Sequence, residues 1–341
     1  MKKIISAFLC LLILLSCLSV SGFAVSEEQG MDALKAQFLS GDAELDYVYY
    51  SPVGENDEEK YPLVVWLHGN SSGDYPGHQL DNCSIALWSS EEYQSRFAGT
   101  GGAYILLPRY PTSGLLSVAW EGTTNTLKKT IDAFIREHRD NVDVSKIYIG
   151  GYSMGGKMTL RMAMTYPTYF AAAFPLSPVY APSNADLNNL IDMPIWFFWC
   201  KNDDYTALNP ITVNANWQYL MSISNCKAQC RISTFNTIYN SDYTIKTADG
   251  KKDIHNTWDA ACHDLFMDDN KAQKDMTVKD GNGKTINLTY PQGLIYWLSC
   301  QSKATGEEEG ESKRTILDIL YGLIDIIKNA IVDILKAIAN G

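Results

Sequence analysis

Residues 146–156 read KIYIGGYSMGG, which places a G-x-S-x-G motif at a point where the hydrophobic pattern of the chain changes. The run before the glycines is typical of a buried strand, and Met154, Met158 and Met162 recur at helical spacing, which predicts a core-facing stripe. Glycines around Ser153 allow a strained strand-to-helix turn with closely packed backbones. Such a turn exposes the serine hydroxyl, so Ser153 is predicted to be a nucleophile. The alternative is a glycine-rich turn without a chemical role.

Short apolar runs alternate with segments of helical period between about residues 42 and 301. This alternation predicts an α/β fold with a mostly parallel sheet flanked by helices. Continuous apolar runs are typical of strands buried on both faces. The predicted strands are residues 45–50 (at an edge), 61–67, 104–107, 146–149, 171–176, 195–200 and 231–235. Helices are predicted over 123–138, directly after Ser153, and over 291–301.

A serine nucleophile needs a base, and the expected chain order is serine, acid, histidine. Of the five histidines, only His255 and His263 follow Ser153. His255 lies in a polar stretch after the last predicted strand, whereas His263 precedes a turn or short helix. His255 is therefore the predicted base, and His263 is the alternative.

The acid that orients this base is expected at the carboxyl end of a strand between serine and histidine. The predicted strand 195–200 is followed by KNDD at 201–204. Asp203 is predicted to accept a hydrogen bond from the histidine, which fixes the tautomer and stabilises the imidazolium. Asp204 is the alternative, and only one of the two can serve.

An oxyanion hole needs two backbone N–H groups directed at the developing negative charge. The N–H of Met154 is the first candidate because it follows the nucleophile. The predicted strand 61–67 runs into His68-Gly69-Asn70, and the N–H of Asn70 is the second candidate. This chemistry requires no metal and no cofactor, and Cys226-x-x-x-Cys230 lacks the further ligands of a zinc site.

At these motifs the chain resembles secreted α/β-hydrolase esterases, in particular the feruloyl esterase and polyhydroxybutyrate depolymerase group and related predicted peptidases. The resemblance covers roughly residues 43–302 and rests on LHG at 67–69, LLPRYP at 106–111, GGYSMGG at 150–156, FFWCKNDD at 197–204 and HNTWDA at 255–260. It implies the α/β-hydrolase fold, His255 as catalytic histidine and Trp258 near the pocket wall. Trp199-Cys200 departs from the family, which commonly has His-Gly there.

The resemblance leaves three functions open. The preferred one is a serine esterase acting on a small-molecule or polymer-linked ester. A peptidase of the prolyl-oligopeptidase type would use the same residues, but about 260 residues leave no space for its accessory propeller domain. A catalytically silent binding module is the third. Aromatic residues are candidates for the pocket or equally for the core: Tyr110, Trp120, Tyr152, Tyr180, Trp217 and Trp258.

The ends of the chain differ from its centre. Lys2 and Lys3 precede an apolar run, and Gly22-Phe23-Ala24 offers a cleavage site, so residues 1–24 are predicted to be a signal peptide of a secreted protein. Lipid attachment at Cys17 is the alternative. The remaining six cysteines form disulfides or stay buried thiols, and no pairing is assigned. The net charge of −11 excludes nucleic acid as a partner.

The catalytic domain is predicted to span residues 25–302. Residues 303–314 are acidic and lack large apolar side chains, which predicts a linker. Residues 315–341 are predicted to form a separate amphipathic helix in which the polar residues share a narrow arc. Self-association or attachment to a partner or surface is the predicted role, and packing back on the catalytic domain is the alternative.

Overall fold

The structure is a computed structural model and describes residues 27–54, 58–70, 77–80, 84–110, 123–201, 203, 210–236, 255–265 and 276–303. The chain divides into two compact units, Met1–Ser302 and Lys303–Gly341, and all described residues except Lys303 belong to the first. The predicted signal peptide, Asp204, Trp120 and the predicted C-terminal helix lie outside the described residues. Within the described ranges, no helix has the length and apolar character needed to cross a membrane.

A single sheet organises the first unit, and its ten described strands follow the order β1-β2-β4-β3-β5-β6-β7-β8-β9-β10. Strands β3 to β8 pair in parallel, whereas β1, β2, β9 and β10 join antiparallel at the two edges. The strands are β1 (Leu39–Gly41), β2 (Tyr47–Tyr50), β3 (Tyr61–Leu67), β4 (Tyr104–Pro108), β5 (Val142–Tyr152), β6 (Ala172–Leu176), β7 (Trp196–Cys200), β8 (Arg231–Phe235), β9 (Met276–Asp280) and β10 (Thr285–Ile286).

Helices connect the parallel strands and cover the sheet. The α-helices are α1 (Glu27–Lys35), α2 (Glu91–Gln94), α3 (Thr124–Glu137), α4 (Met154–Thr165), α5 (Asn184–Leu187), α6 (Pro210–Ile223), α7 (Trp258–Cys262) and α8 (Leu294–Ser299). Short 3₁₀ turns are formed by His78–Leu80, Ile85–Ser89 and Asn188–Leu190. The predicted mostly parallel sheet flanked by helices is thus confirmed.

The core lies on both faces of the sheet, because alternate residues of a strand point to opposite sides. In β3, Leu63 and Val65 join one apolar cluster, and Val64 and Trp66 join the other. The predicted methionine stripe of α4 faces the first cluster, where Met158 and Met162 are fully buried and Met154 is partly buried. Burial on two faces explains why the central strands read as continuous apolar runs.

Two strand predictions are wrong at the sheet edges. The predicted edge strand at residues 45–50 corresponds to β2, which starts only at Tyr47. It is not the edge of the sheet, because β1 pairs with it on its outer side. The polar stretch at His255 does not follow the last strand, because β9 and β10 come after it. These edge strands are short or half-exposed, so they lack the apolar runs that reveal the central strands.

A buried carboxylate anchors the last helix of the unit. Asp264 Oδ1 accepts a hydrogen bond from the N–H of Ile295 at 2.7 Å, and Oδ2 accepts one from Arg96 at 3.1 Å. Burial raises the pKa of Asp264 to about 7, an effect that the N–H of Ile295 and the guanidinium of Arg96 only partly offset. The folded state therefore binds this proton more tightly than the unfolded chain does.

This shift predicts a pH-dependent stability. Because the folded-state pKa is raised, the stabilising contribution is complete below pH 4 and is lost as the pH rises through 7. Between pH 5 and pH 8 the wild-type free energy of unfolding should fall by about 2.5 kcal/mol more than that of Asp264→Asn. The asparagine keeps the oxygen that accepts from Ile295 but does not titrate. Urea unfolding at each pH measures both, and parallel curves would contradict the prediction.

Candidate active site

Ser153 lies on the turn between β5 and α4 in a strained backbone conformation. Its φ of 55° and ψ of −113° are rare for a residue with a side chain. Hydrogen bonds hold this conformation: the N–H of Ser153 donates to the carbonyl of Leu176 in the neighbouring strand at 2.9 Å, and its carbonyl accepts from Lys157 at 3.0 Å. Surroundings that impose such strain are typical of functional positions.

The glycine at 155 is required by the close approach of α4 to β3. A Cβ atom at this position would lie 2.0 Å from the backbone oxygen of Leu67 and 2.6 Å from that of His68. Real Cβ atoms do not come so close to backbone oxygens. The turn therefore packs directly against the loop that follows β3.

The glycine contact predicts a large cost for a single methyl group. Gly155→Ala should lower the free energy of unfolding by about 3 kcal/mol, because either α4 or the loop after β3 must move. Gly54→Ala is the matched control, since nothing lies within 4 Å of a Cβ there, and it should change stability by less than about 0.5 kcal/mol. Chemical denaturation measures both; equal effects of the two substitutions would refute the packing argument.

Asp203 and His255 form a hydrogen-bonded pair. Asp203 lies in the turn after β7, where its backbone N–H donates to the carbonyl of Cys200. His255 lies shortly before α7. His255 Nδ1 lies 2.8 Å from Asp203 Oδ2, so Nδ1–H donates to the carboxylate. The alternative histidine, His263, instead bonds with Nδ1 to the carbonyl of Asp259 at 2.8 Å.

Two contacts join the loop of His255 to neighbouring segments, one to Ser177 after β6 and one to Tyr152, the residue before Ser153. The hydroxyls of Thr257 and Ser177 lie 2.9 Å apart, both buried, and Ser177 follows β6 with a φ of 38°. The rings of Trp258 and Tyr152 pack with centroids 4.5 Å apart, and Trp258 also meets the ring of His255 edge-on at 5.4 Å. The structure thus brings Ser153 and His255 to the same edge of the sheet.

The loop after β3 borders the serine. A Cβ atom at Gly69 would lie 3.3 Å from the Cβ of Ser153 and 2.5 Å from the ring of Tyr152. His68 holds this loop: its Nδ1 bonds the carbonyl of Gly69 at 2.7 Å, and its Nε2 accepts from the N–H of Tyr110 at 3.0 Å. Asn70, the next residue, is exposed. These contacts place Asn70 and Met154 on the two backbone segments that flank Ser153.

The sequence does not predict a role for three residues that shape the site: His68, Ser177 and Thr257. The position of His68 before Ser153 in the chain argues against a role as base, although the His-Gly pair does predict the loop. Ser177 and Thr257 are separated by 80 residues, and an isolated hydroxyl pair has no local signal. Their pairing becomes visible only in the folded chain.

The polar side chains of the site are shielded from water. Ser153 and His255 are 8% exposed and Asp203 is 9% exposed, which strengthens hydrogen bonds and charge interactions among them. Across the described ranges, no group of three or more histidine, cysteine, aspartate or glutamate side chains could hold a metal ion.

The aromatic candidates fall in different places. Tyr152 is buried beneath Gly69. Trp258 is half-buried and packs against the ring of Tyr152. Trp217 packs against Phe197 and, with Trp199, lines a groove of about 370 Å³ beside β8. Tyr152 and Trp258 are thus the two aromatic residues placed here in direct contact with the serine and histidine segments.

The arrangement of strands and turn has a counterpart among solved structures. The solved structure of a thermostable esterase superposes on this chain with a TM-score of 0.55 and 22% sequence identity. The superposition covers 79% of this chain and 64% of the esterase chain. The chain has the α/β-hydrolase fold. Within this fold, the strained Ser153 lies at the turn between β5 and α4.

Sequence comparisons agree with the fold. Residues 119–239, about a third of the chain, match the family described as Phospholipase/Carboxylesterase. Acetylxylan esterase A of Emericella nidulans is 30% identical over 153 residues, 41% of this chain and 45% of that protein. Acetylxylan esterase A of Aspergillus awamori is 28% identical over 186 residues, which are 52% of this chain and 55% of that protein. The chain spans about half the length of these relatives.

Proposed function

We propose that this α/β-hydrolase is a serine esterase that cleaves carboxylic esters through an acyl-Ser153 intermediate. The observation that carries the proposal is the joint geometry of Ser153, strained at the strand-to-helix turn, and the 2.8 Å hydrogen bond between Asp203 and His255. The match to the Phospholipase/Carboxylesterase family supports the same chemistry.

In the proposed reaction, His255 acts first as base and then as acid. Because Nδ1 donates to Asp203, Nε2 is the nitrogen that takes the proton of Ser153 as its Oγ attacks the ester carbonyl. The same nitrogen returns that proton to the departing alcohol. Water activated by His255 then hydrolyses the acyl-serine and restores the enzyme.

The negative charge on the tetrahedral intermediate needs donors that are already in place. We assign this role to the backbone N–H groups of Met154 and Asn70, because they lie on the two segments that flank Ser153. We propose that Trp258 contributes to the substrate side of the pocket and that the buried ring of Tyr152, 4.5 Å away, supports it there. Low exposure of the triad side chains favours this electrostatic stabilisation.

The names of the relatives suggest a substrate. Both curated relatives are acetylxylan esterases, so we propose acetyl esters on a polysaccharide as the substrate class. A polymer-linked ester also suits the proposed export of the chain through residues 1–24, for which lipid attachment at Cys17 is the alternative. We propose that residues 303–314 act as a linker and that residues 315–341 mediate self-association or surface attachment.

A substrate panel tests the proposal. Hydrolysis of p-nitrophenyl acetate, longer acyl esters, methyl ferulate, acetylated xylan and a prolyl peptide amide should be compared for wild type and His255→Ala, with His263→Ala as control. We expect ester turnover that only His255→Ala abolishes, with acetyl esters preferred. Preference for the amide would favour a peptidase, and a folded wild type inactive on every substrate would favour a binding module.

The buried hydroxyl pair should tune this reaction. Thr257→Val keeps the shape but removes the hydrogen bond to Ser177, so the loop of His255 loses one anchor. We expect kcat to fall about tenfold with little change in KM, because misplacing the base weakens the chemical step more than binding. Thr257→Ser should restore kcat in steady-state assays; a loss that serine does not rescue would contradict the role of the hydroxyl.

A further inference from the structure

Two cysteines outside the proposed chemistry, Cys226 and Cys230, lie with their sulfur atoms 3.7 Å apart. They occupy the ends of one turn between α6 and β8, in which the N–H of Cys230 donates to the carbonyl of Cys226 at 3.1 Å. This i to i+4 hydrogen bond is that of an α-helical turn, which separates the two Cα atoms by about 6 Å. Disulfide-bonded cysteines have Cα atoms roughly 4.4–6.8 Å apart, so the backbone of this turn already suits a disulfide.

We propose that Cys226 and Cys230 are a disulfide-forming pair, oxidised by exchange with a small-molecule disulfide such as oxidised glutathione. The thiolate of Cys226 attacks one sulfur of the oxidant, whose S–S bond breaks to release one thiolate. The sulfur of Cys230 loses its proton to solvent and attacks Cys226 in the mixed disulfide, which releases the second thiolate. Two protein thiols are oxidised, and one small disulfide is reduced to two thiols.

The surroundings assign the attacking role to Cys226. Cys226 is half-buried and reachable from solvent, whereas Cys230 is fully buried. A hydrogen bond from Cys230, opposed by burial and aided by Ser224, lowers the pKa of Cys226 to about 7. The hydrogen bond with Cys226 and burial raise the pKa of Cys230. The accessible sulfur is thus the better thiolate, and the buried sulfur resolves the mixed disulfide.

The turn is a junction of the fold, so a covalent link there has a structural consequence. The carbonyl of Lys227 accepts from Gly281 in the turn after β9 at 3.0 Å. The carbonyl of Gln229 accepts from the indole of Trp297 in α8 at 2.8 Å. The N–H of Asn225 donates to the carbonyl of Ile191 at 2.8 Å. A disulfide would fix the turn that holds these three segments together.

Peptide mapping tests the pair directly, because trypsin cleaves after Lys227 and separates the two cysteines. Reduced protein is incubated with oxidised glutathione, alkylated and digested. We expect fragment 202–227 to be linked to fragment 228–231 and to be released by reduction. The exposed Cys300 serves as the internal control for reactivity. Alkylated Cys226 and Cys230 in a sample where Cys300 carries glutathione would overturn the proposal, as would a link from Cys226 to another cysteine.

Thermal unfolding provides a second readout that does not depend on enzymatic activity. The oxidised wild type should melt about 5 °C above the reduced protein, because a short disulfide loop constrains the unfolded chain. Cys226→Ser should show no such difference, and Cys300→Ser should keep it. Equal melting of oxidised and reduced wild type would overturn the structural consequence, whereas the peptide map tests the bond itself even if Cys226→Ser does not fold.

Discussion

Ser153→Ala is expected to lower kcat for p-nitrophenyl acetate by at least about 10,000-fold while the fold remains intact. Ser153 carries the one hydroxyl on the strained turn, and alanine removes the atom that would form the proposed acyl intermediate. What remains is the contribution of the backbone donors and of substrate binding, which act without the nucleophile. Initial rates at saturating substrate, together with circular dichroism of the variant, measure this effect.

Ser145 offers a control within the same strand. Ser145 lies in β5, the strand that ends directly before Ser153. Its hydroxyl donates a hydrogen bond to the carboxylate of Asp143 at 2.6 Å. Ser145→Ala should keep kcat close to the wild-type value. If Ser153→Ala retained a tenth of the wild-type rate, the acyl-serine mechanism would be wrong.

Asp203→Asn should be the second most damaging substitution, with kcat reduced about 1,000- to 10,000-fold and KM little changed. The asparagine amide can donate to Nδ1 of His255, which favours the tautomer that carries its proton on Nε2. That tautomer cannot accept the proton of Ser153. Steady-state kinetics with an acetyl ester separate the effect on kcat from that on KM.

The neighbouring aspartate supplies the matched control. Asp204→Asn changes the same charge at the next position and should leave kcat within about twofold of wild type. A large loss in Asp204→Asn with little effect of Asp203→Asn would transfer the acid role to Asp204. Comparable losses in both would indicate that the loop conformation, rather than one carboxylate, limits the rate.

Local patterns explain why much of this fold can be predicted from the sequence. Strand β3 and strand β8 have the predicted bounds, because apolar runs flanked by polar residues mark buried parallel strands. The turn at Ser153 is likewise local, since its glycines and its position between strand and helix lie within eleven residues. Chain order and strand ends then suffice to nominate Asp203 and His255.

Contacts between distant segments explain what could not be predicted. The half-exposed strand Met276–Asp280 mixes apolar and charged residues, so only its pairing with β8 identifies it. The hydroxyl pair of Ser177 and Thr257 and the sulfur pair of Cys226 and Cys230 depend on side-chain positions set by packing. Spacing alone left the second pair open, because cysteines four residues apart also occur as separate buried thiols.

Active-site labelling tests the central claim most directly. A fluorophosphonate should modify wild type once, on the tryptic peptide 147–157, which contains Ser153 as its single serine. Ser153→Ala should remain unlabelled, and His255→Ala should react far more slowly, because the base that activates the hydroxyl is missing. A single adduct on this peptide is the predicted result. Labelling at another residue, or undiminished ester hydrolysis by Ser153→Ala, would contradict the account.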